Sequence, residues 1–434
     1  MADAHGLVIA APSSGAGKTL VTLGLLRAFA KRGFEVASAK TGPDYIDPRF
    51  HKAASRRRCV NLDVWAMRER LVAMLATRCA ADAELVIVEG VMGLFDGATG
   101  GGGSTADLAA LLNLPVILVI DARAQGQSAA ALVKGFAEFR DACVIAGVIF
   151  NRVASDTHAA ILTEAVAALD IAVIGAVRQQ AGLTLPSRHL GLVQAEEHSE
   201  LEAFIDRAAV LMEEEIDLDA LLAHAHLLSE KSDAAILPPL GQRIAVAQDQ
   251  AFGFSYPHVI DGWREAGAEV LPFSPLADEA PEVDADAIFL PGGYPELHAG
   301  KLASNSTFLS GLRAAQTREA LIYGECGGFM VLGDYLIDAD GSRHKMAGLL
   351  PVGTSFAERS LKLGYRQLRH ASALPWPAEL RGHEFHYSTL HWQGDGDALY
   401  AARDSQGTEQ GAIGLRRGSV MGSYAHVIDM EEAK

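Results

Sequence analysis

Three things are scarce in this chain of 434 residues. Cysteine is the first. Cys59, Cys79, Cys143 and Cys326 are the only four, and no two share a CxxC spacing, which argues against both a zinc site and a disulfide framework. Basic charge is the second: 37 Lys and Arg stand against 54 Asp and Glu. The resulting net charge of −17 disfavours nucleic acid and anionic membranes as partners, while leaving room for a phosphate held in a local pocket. Long apolar runs are the third. The most apolar run, residues 111–120, contains Asn113 and Pro115 and falls far short of a membrane span, and no basic stretch followed by an apolar one opens the chain. A soluble cytoplasmic protein is therefore expected. What remains is a globular composition, 49% hydrophobic and 21% charged, in a chain too long for one ordinary core, so two domains are expected.

The first half reads as alternating strands and helices. Residues 7–11 form a buried strand, Ser13-Ser-Gly-Ala-Gly-Lys-Thr19 a glycine-rich loop and residues 20–32 a helix, which is the order a phosphate-binding loop requires. In such a loop the backbone around Gly15 and Gly17 and the helix N-terminus cradle the phosphates of ATP. Lys18 reaches the β and γ oxygens, and the Thr19 hydroxyl ligates Mg2+. Pro12 stands where the strict GxxxxGK[ST] pattern has glycine.

A second strand over 35–39 ends at Lys40-Thr-Gly-Pro-Asp-Tyr-Ile-Asp-Pro48, a loop stiffened by two prolines at what would be the carboxyl edge of a parallel sheet. Asp44 and Asp47 there have no obvious basic partner within the loop. They read either as carboxylates for Mg2+ and the reacting group, with Tyr45 and Ile46 beside the substrate, or as a turn that binds nearby amides. The strand over 85–88 closes on Glu89, which puts a carboxylate at a buried strand tip, where a further Mg2+ contact is expected. Ser104-Thr-Ala-Asp107 fits a helix cap. Apolar strands over 115–120, 144–150 and 171–177 are separated by helical stretches over 128–139 and 158–169, so the half is α/β and mostly parallel. A helical, acidic pattern over 197–231 is broken by Leu237-Pro-Pro-Leu-Gly241, which sets the expected domains at 1–236 and 241–434.

In the second half Gly324-Glu-Cys-Gly-Gly328 follows an apolar run over 320–323. Cysteine among small residues just after a strand suggests a sharp strand-to-helix turn, which makes Cys326 the candidate nucleophile; a buried cysteine beside a glycine turn is the plainer alternative. Upstream, a strand over 287–290 runs into Pro291-Gly-Gly-Tyr294, whose amides near Gly293 could face an oxyanion together with that of Gly327. Downstream, Gly422-Ser-Tyr-Ala-His426 offers His426 as the base. His383 and His386, in Gly382-His-Glu-Phe-His-Tyr-Ser388, would point to opposite faces of a strand and so could not chelate one ion together.

These pieces, in this order, resemble class I (triad) glutamine amidotransferase domains, which release ammonia from glutamine through a cysteinyl thioester. The whole chain resembles the cobyrinic acid a,c-diamide synthase family, hydrogenobyrinic acid a,c-diamide synthase type, in which a dethiobiotin-synthetase-like ATPase is joined to such a glutaminase. The resemblance rests on Ala11-Pro-Ser-Ser-Gly-Ala-Gly-Lys-Thr19, Gly42-Pro-Asp-Tyr-Ile-Asp-Pro48, Val88-Glu-Gly-Val-Met-Gly-Leu-Phe-Asp-Gly97, Gly103-Ser-Thr-Ala-Asp-Leu108, Arg188-His-Leu-Gly-Leu192 and the two histidine motifs above. It implies an α/β fold of two domains: an N-terminal P-loop parallel sheet and a C-terminal amidotransferase-like domain. It also implies that Asn151, at a strand end, reads adenine. Triads of the anthranilate-synthase kind place glutamate two residues after the histidine. That position here is Ile428, so the sequence supports a dyad of Cys326 and His426.

The implied ligase uses ATP, Mg2+ and glutamine to amidate the c and then the a side-chain carboxylate of a corrinoid, cobalt-bearing or metal-free. The γ-phosphoryl group passes to the carboxylate, with Lys18 and Mg2+ offsetting its charge, and ammonia reaching it by a shielded path displaces phosphate from the acyl phosphate. Cobyric acid synthase and the nickel-sirohydrochlorin a,c-diamide synthase share both modules and stand as alternatives. The Tyr45-Ile46 loop and the run ending at Ser388 favour the a,c-diamide type. A regulatory P-loop ATPase with a glutamine-sensing domain would keep the loop without needing Cys326. A homodimer stays open.

Overall fold

The computed structural model describes residues 4–180, 182–183, 187–188, 191–192, 194–198, 200–228 and 232–432. The chain divides into two compact units, one of Met1–Trp65 with Glu69–Ala234, the other of Ala66–Arg68 with Ala235–Lys434.

In the first unit the strands β1 (His5–Ala10), β2 (Val36–Thr41), β3 (Val60–Leu62), β4 (Leu85–Glu89), β5 (Val116–Asp121), β6 (Ile145–Val153) and β7 (Ala172–Arg178) lie in the order β3-β2-β4-β1-β5-β6-β7. All of these neighbours are parallel. Between them run α1 (Lys18–Lys31), α2 (Asp47–Ser55), α3 (Glu69–Ala80), α4 (Thr105–Leu111), α5 (Ala129–Glu138) and α6 (Asp156–Val166). Parallel strands joined by helices are apolar on both faces, and every position of β4 is buried. The chain passes from β4 on one side of β1 to β5 on the other. That reversal opens a crevice at the carboxyl ends of the strands, and the loop after β1 lies in it. The capping box at α4 forms as its spacing predicts: Ser104 accepts from the Asp107 amide and the Asp107 carboxylate accepts from the Ser104 amide.

The acidic stretch over 197–231 is only partly helical. It forms α7 (Leu201–Glu215) and a short helix at Leu218–Ala223, then a strand at His226–Leu227 that pairs antiparallel with β1. The reason lies in register. β5 joins β1 only from Val8 onward, so the backbone at His5 and Gly6 has an open side that this strand fills. Lys231, and His189 and Leu190 of the motif Arg188-His-Leu-Gly-Leu192, lie outside the described residues.

The second unit is built on a ten-stranded sheet. Its parallel half runs Glu269–Phe273, Arg243–Ala247, Ala287–Leu290, Leu321–Glu325 and Val420–Ser423, and it continues antiparallel through Glu409–Arg417, Asp397–Arg403, Lys362–Arg369, Glu379–His386 and His426–Met430. A four-stranded sheet adds Arg343–Lys345, Tyr335–Ile337, Val352–Ser355 and Thr389–Gln393. The register pairs Gly324 with Gly422 and Glu325 with Ser423, so the cysteine and histidine motifs leave the sheet at one end. No described helix is long and apolar enough to cross a membrane.

Candidate active site

The loop between β1 and α1 crosses the carboxyl edge of the first unit's sheet. Gly15 and Gly17 take φ of 81° and 96°, a region that strains any residue with a Cβ, and a Cβ on Gly17 would stand 2.1 Å from Asn151 Nδ2. Asn151 Nδ2 donates to the Ala16 carbonyl at 2.8 Å and Arg152 Nη1 to the Gly15 carbonyl at 2.8 Å. With its carbonyls tied to β6, the loop has the backbone arrangement that presents amides to an anion. A cavity of about 560 Å3 lies against it, lined among others by Lys18, Thr19, Asp44, Asp47, Glu89 and Asn151.

Glu89 is fully buried at the end of β4. Its Oε1 accepts from Thr19 Oγ1 at 2.7 Å and from Lys40 Nζ at 2.9 Å, and its Oε2 meets His51 Nε2 at 2.7 Å. Burial favours the neutral acid, but Lys40 and His51 outweigh it and hold the carboxyl below its usual range. Burial also pulls the Lys18 ammonium down to about 8, against the charge of Glu89; its Nζ donates to the Met92 carbonyl at 2.5 Å. Burial pulls His51 down as well, but Cys59, whose sulfur is 3.5 Å from Nδ1, and Glu89 raise it to about 10.

The expectation that the loop carboxylates lack a basic partner is overturned at Asp47, whose Oδ2 lies 2.7 Å from Lys40 Nζ. Lys40 sits near the end of β2, in register with Glu89, and the loop after it doubles back so that Asp47 returns over the strand. Asp44 makes that reversal: its Oδ1 accepts from the amides of Ile46 at 2.8 Å and Asp47 at 2.9 Å, the Asx-type turn weighed from sequence. Burial raises the Asp47 carboxyl to about 7, the charges of Asp44 and Glu89 adding to it and Lys40 opposing. Ile46 is buried at the N-cap of α2, and Tyr45 is half-buried beside it. Lys40 and His51 were not singled out from sequence. The available signal for His51 was its i+4 spacing from Asp47, which puts both on one face of α2.

The donor set suits a nucleotide that arrives with magnesium. Thr19, Glu89 and Asp47 present hard oxygens, the kind Mg2+ takes together with phosphate oxygens. Lys18 and the Gly15–Gly17 backbone supply the positive side for the phosphates.

In the second unit Cys326 has φ 47° and ψ −106°, between the strand Leu321–Glu325 and the helix Gly327–Leu332. Positive φ in a residue with a side chain is strain that the surroundings must hold. Here the Cys326 amide donates to Ser423 O at 2.8 Å and the Gly328 amide to Pro291 O at 3.1 Å. A Cβ on Gly328 would stand 1.9 Å from Leu290 O, so the helix can start this close to the neighbouring strand only with glycine there. Cys326 and His426 are both buried. A Cβ on Gly292 would lie 2.3 Å from His426 Cε1, 3.0 Å from its Nε2 and 3.2 Å from Cys326 Cβ, so the Pro291-Gly-Gly turn touches both. A Cβ on Gly327 would stand 3.0 Å from the Gly293 nitrogen, which brings those two amides together. Outside regular elements, neither donates to a backbone carbonyl among the described residues. Burial would lower the His426 imidazolium, yet the side chains of Cys326 and Glu325 beside it raise it to about 9.

Glu325 was passed over in the sequence. Its Oε2 lies 3.6 Å from His426 Nδ1, while its Oε1 accepts from the Val427 amide at 3.0 Å and from Tyr323 Oη at 3.1 Å. His383 and His386 sit on the strand Glu379–His386 at the expected odd spacing. Burial lowers them to about 3 and about 4, and the His386 ring stacks on Tyr424 at 3.9 Å, whose hydroxyl meets Ser388 Oγ at 2.7 Å.

Comparison with known proteins places both halves. Residues 7–193 match the model of the CobQ/CobB/MinD/ParA nucleotide binding domain, and residues 243–433 that of the CobB/CobQ-like glutamine amidotransferase domain. A protein of Brucella anthropi named hydrogenobyrinate a,c-diamide synthase is 54% identical over 428 residues, 98% of either chain. One of the same name from Rhizobium meliloti is 53% identical, covering 99% of this chain and 100% of its own. Another, from Mesorhizobium japonicum, is 50% identical over 98% of each.

Proposed function

This chain belongs to the hydrogenobyrinate a,c-diamide synthase family, enzymes of cobalamin synthesis that couple glutamine hydrolysis to amide formation, and we propose that it amidates the c and then the a carboxylate of hydrogenobyrinate in the cytoplasm. The observation that carries the reading is the strained Cys326 turn held against His426, in a chain whose other unit carries a phosphate loop. The metal-free ring is supported by the names of the relatives.

In the first unit Lys18 and the amides around Gly15 and Gly17 hold the phosphates of ATP. Thr19, Glu89 and the Asp44–Asp47 loop surround the end where magnesium would sit, and that ion offsets phosphate charge. Asn151 Nδ2 braces the loop through the Ala16 carbonyl, and its side chain also lines the cavity, where its second Nδ2 proton would read adenine. A carboxylate is a poor electrophile. Transfer of the γ-phosphoryl group to it leaves ADP and an acyl phosphate, and ammonia then expels inorganic phosphate to leave the amide.

The ammonia comes from the second unit. The Cys326 thiolate adds to the side-chain carbonyl of glutamine, with the amides of Gly293 and Gly327 receiving the oxyanion. His426 hands its proton to the departing nitrogen, which leaves as ammonia, and the thioester remains. Water, losing a proton to His426, adds to the thioester, glutamate leaves and the thiol is restored.

The test is a mass-resolved assay with hydrogenobyrinate or its cobalt form, ATP, Mg2+ and glutamine. A monoamide followed by a diamide from the metal-free ring is expected. ATP hydrolysis with no amide on either ring would overturn the reading.

A further inference from the structure

His426 presents its two nitrogens to different neighbours. Its Nε2 edge lies against Gly292 and, across that glycine, Cys326; its Nδ1 lies 3.6 Å from Glu325 Oε2. Glu325 is buried and belongs to the nucleophile's own strand, where alternation puts it on the same face as Tyr323. Its Oε1 is held twice, by the Val427 amide at 3.0 Å and the Tyr323 hydroxyl at 3.1 Å, and Tyr323 Oη is itself 3.0 Å from Tyr400 Oη. The bond to Val427 ties the carboxylate to the residue next to His426. With Oε1 fixed in this way, Oε2 is the oxygen turned to the imidazole. The position two residues after the histidine is the fully buried Ile428, so no carboxylate reaches the ring from there.

We propose that Glu325 completes a triad with Cys326 and His426, as the positioning residue that keeps the proton on His426 Nδ1 and turns Nε2 towards the nucleophile. This rests on the assignment of Cys326 as nucleophile. An orienting carboxylate fixes the tautomer and ring angle of a catalytic histidine, and a base-to-orienter contact that is long in the free enzyme tightens when substrate binds. In this chain the orienter arrives from the residue before the nucleophile instead of from beyond the histidine.

The deciding variants are Glu325→Gln, which keeps shape and the acceptor for Val427, and Glu325→Asp, which keeps charge. Glutaminase kcat and KM are measured alongside amidation driven by added ammonia, a step of the first unit that the carboxylate does not enter, and folding of the second unit is followed by near-UV circular dichroism and thermal unfolding. Glu325→Gln should lower kcat for glutamine about a hundredfold or more, with KM within about twofold and ammonia-driven amidation retained; Glu325→Asp should recover about tenfold of the loss. Wild-type kcat in Glu325→Gln overturns the proposal, as does a rise in KM with kcat unchanged. If Glu325→Gln proves unfolded, Glu325→Asp decides: a rate no better than that of folded Glu325→Ala overturns it. Cys326→Ala separates the two levels, because glutaminase surviving in that variant would remove the nucleophile assignment itself.

Discussion

On the proposed mechanism His426 is the residue whose protonation most directly sets the glutaminase rate. It holds its proton up to about pH 9, because Cys326 and Glu325 beside it outweigh its burial. The imidazolium that must protonate the departing nitrogen is therefore present throughout neutrality and is lost above that value. Glutaminase kcat/KM should hold between about pH 7 and 8.5 and decline beyond about 9; a profile still rising at about pH 10 would contradict the assignment. Stability follows the same proton. The folded value lies above the ordinary value of about 6.5, so the contribution is complete below about 6.5 and is lost as pH rises through about 9. Lys18, Thr19 and Glu89, and Cys326 with His426, were legible from motifs, whereas Lys40, His51 and Glu325 carry no motif of their own and are recognised only by what they touch.

The element on which most turns is the loop from Lys40 to the start of α2. Asp44 shapes its turn through two amides, while Asp47 pairs with the buried Lys40, so the two carboxylates contribute differently. Asp44→Asn, which keeps an acceptor, should lose about 1 kcal/mol or less. Asp47→Asn removes a carboxylate whose charge burial, Asp44 and Glu89 already disfavour, and leaves Lys40 paired with Glu89, so it should lose about 1–3 kcal/mol by urea denaturation, the cost of one buried hydrogen-bond partner. A smaller loss for Asp47→Asn than for Asp44→Asn would refute this ranking. If the loop also orients the reacting carboxylate, both variants should bind nucleotide yet form amide slowly, and Tyr45→Ala or Ile46→Ala should change the ratio of mono- to diamide. Normal rates and ratios in all of them would reject that role. The reversal was foreseeable, since two prolines and two aspartates in seven residues make a turn. Its destination was not, because the return to Lys40 depends on where β2 ends relative to β4.

For the whole molecule, the proposed mechanism divides the chemistry between two units, so each half should fail separately. Cys326→Ala should abolish glutamine-driven amidation and leave amidation from high external ammonia, because it removes only the supply of nitrogen. Lys18→Ala should stop amidation from either source, because the carboxylate is no longer activated. Product assays with both nitrogen sources decide it: no ammonia rescue of Cys326→Ala, or ordinary ammonia-driven turnover by Lys18→Ala, would refute the division.

The features the sequence determined by itself are those encoded in one contiguous stretch. A buried strand, a glycine loop and a helix in immediate succession specify a phosphate loop, and a strand, a cysteine and two glycines specify the turn at Cys326 with its φ of 47°. The run of parallel strands was equally plain, because strands covered on both faces are apolar throughout. The antiparallel part of the second sheet was largely hidden, since strands such as Lys362–Arg369 and Glu409–Arg417 each bury a single position and carry no apolar run. Only tertiary structure decided which charges surround Glu89 and which carboxylate faces His426. Those contacts join segments far apart in the chain through strand register, and register is set by the packing of the whole sheet rather than by any local pattern.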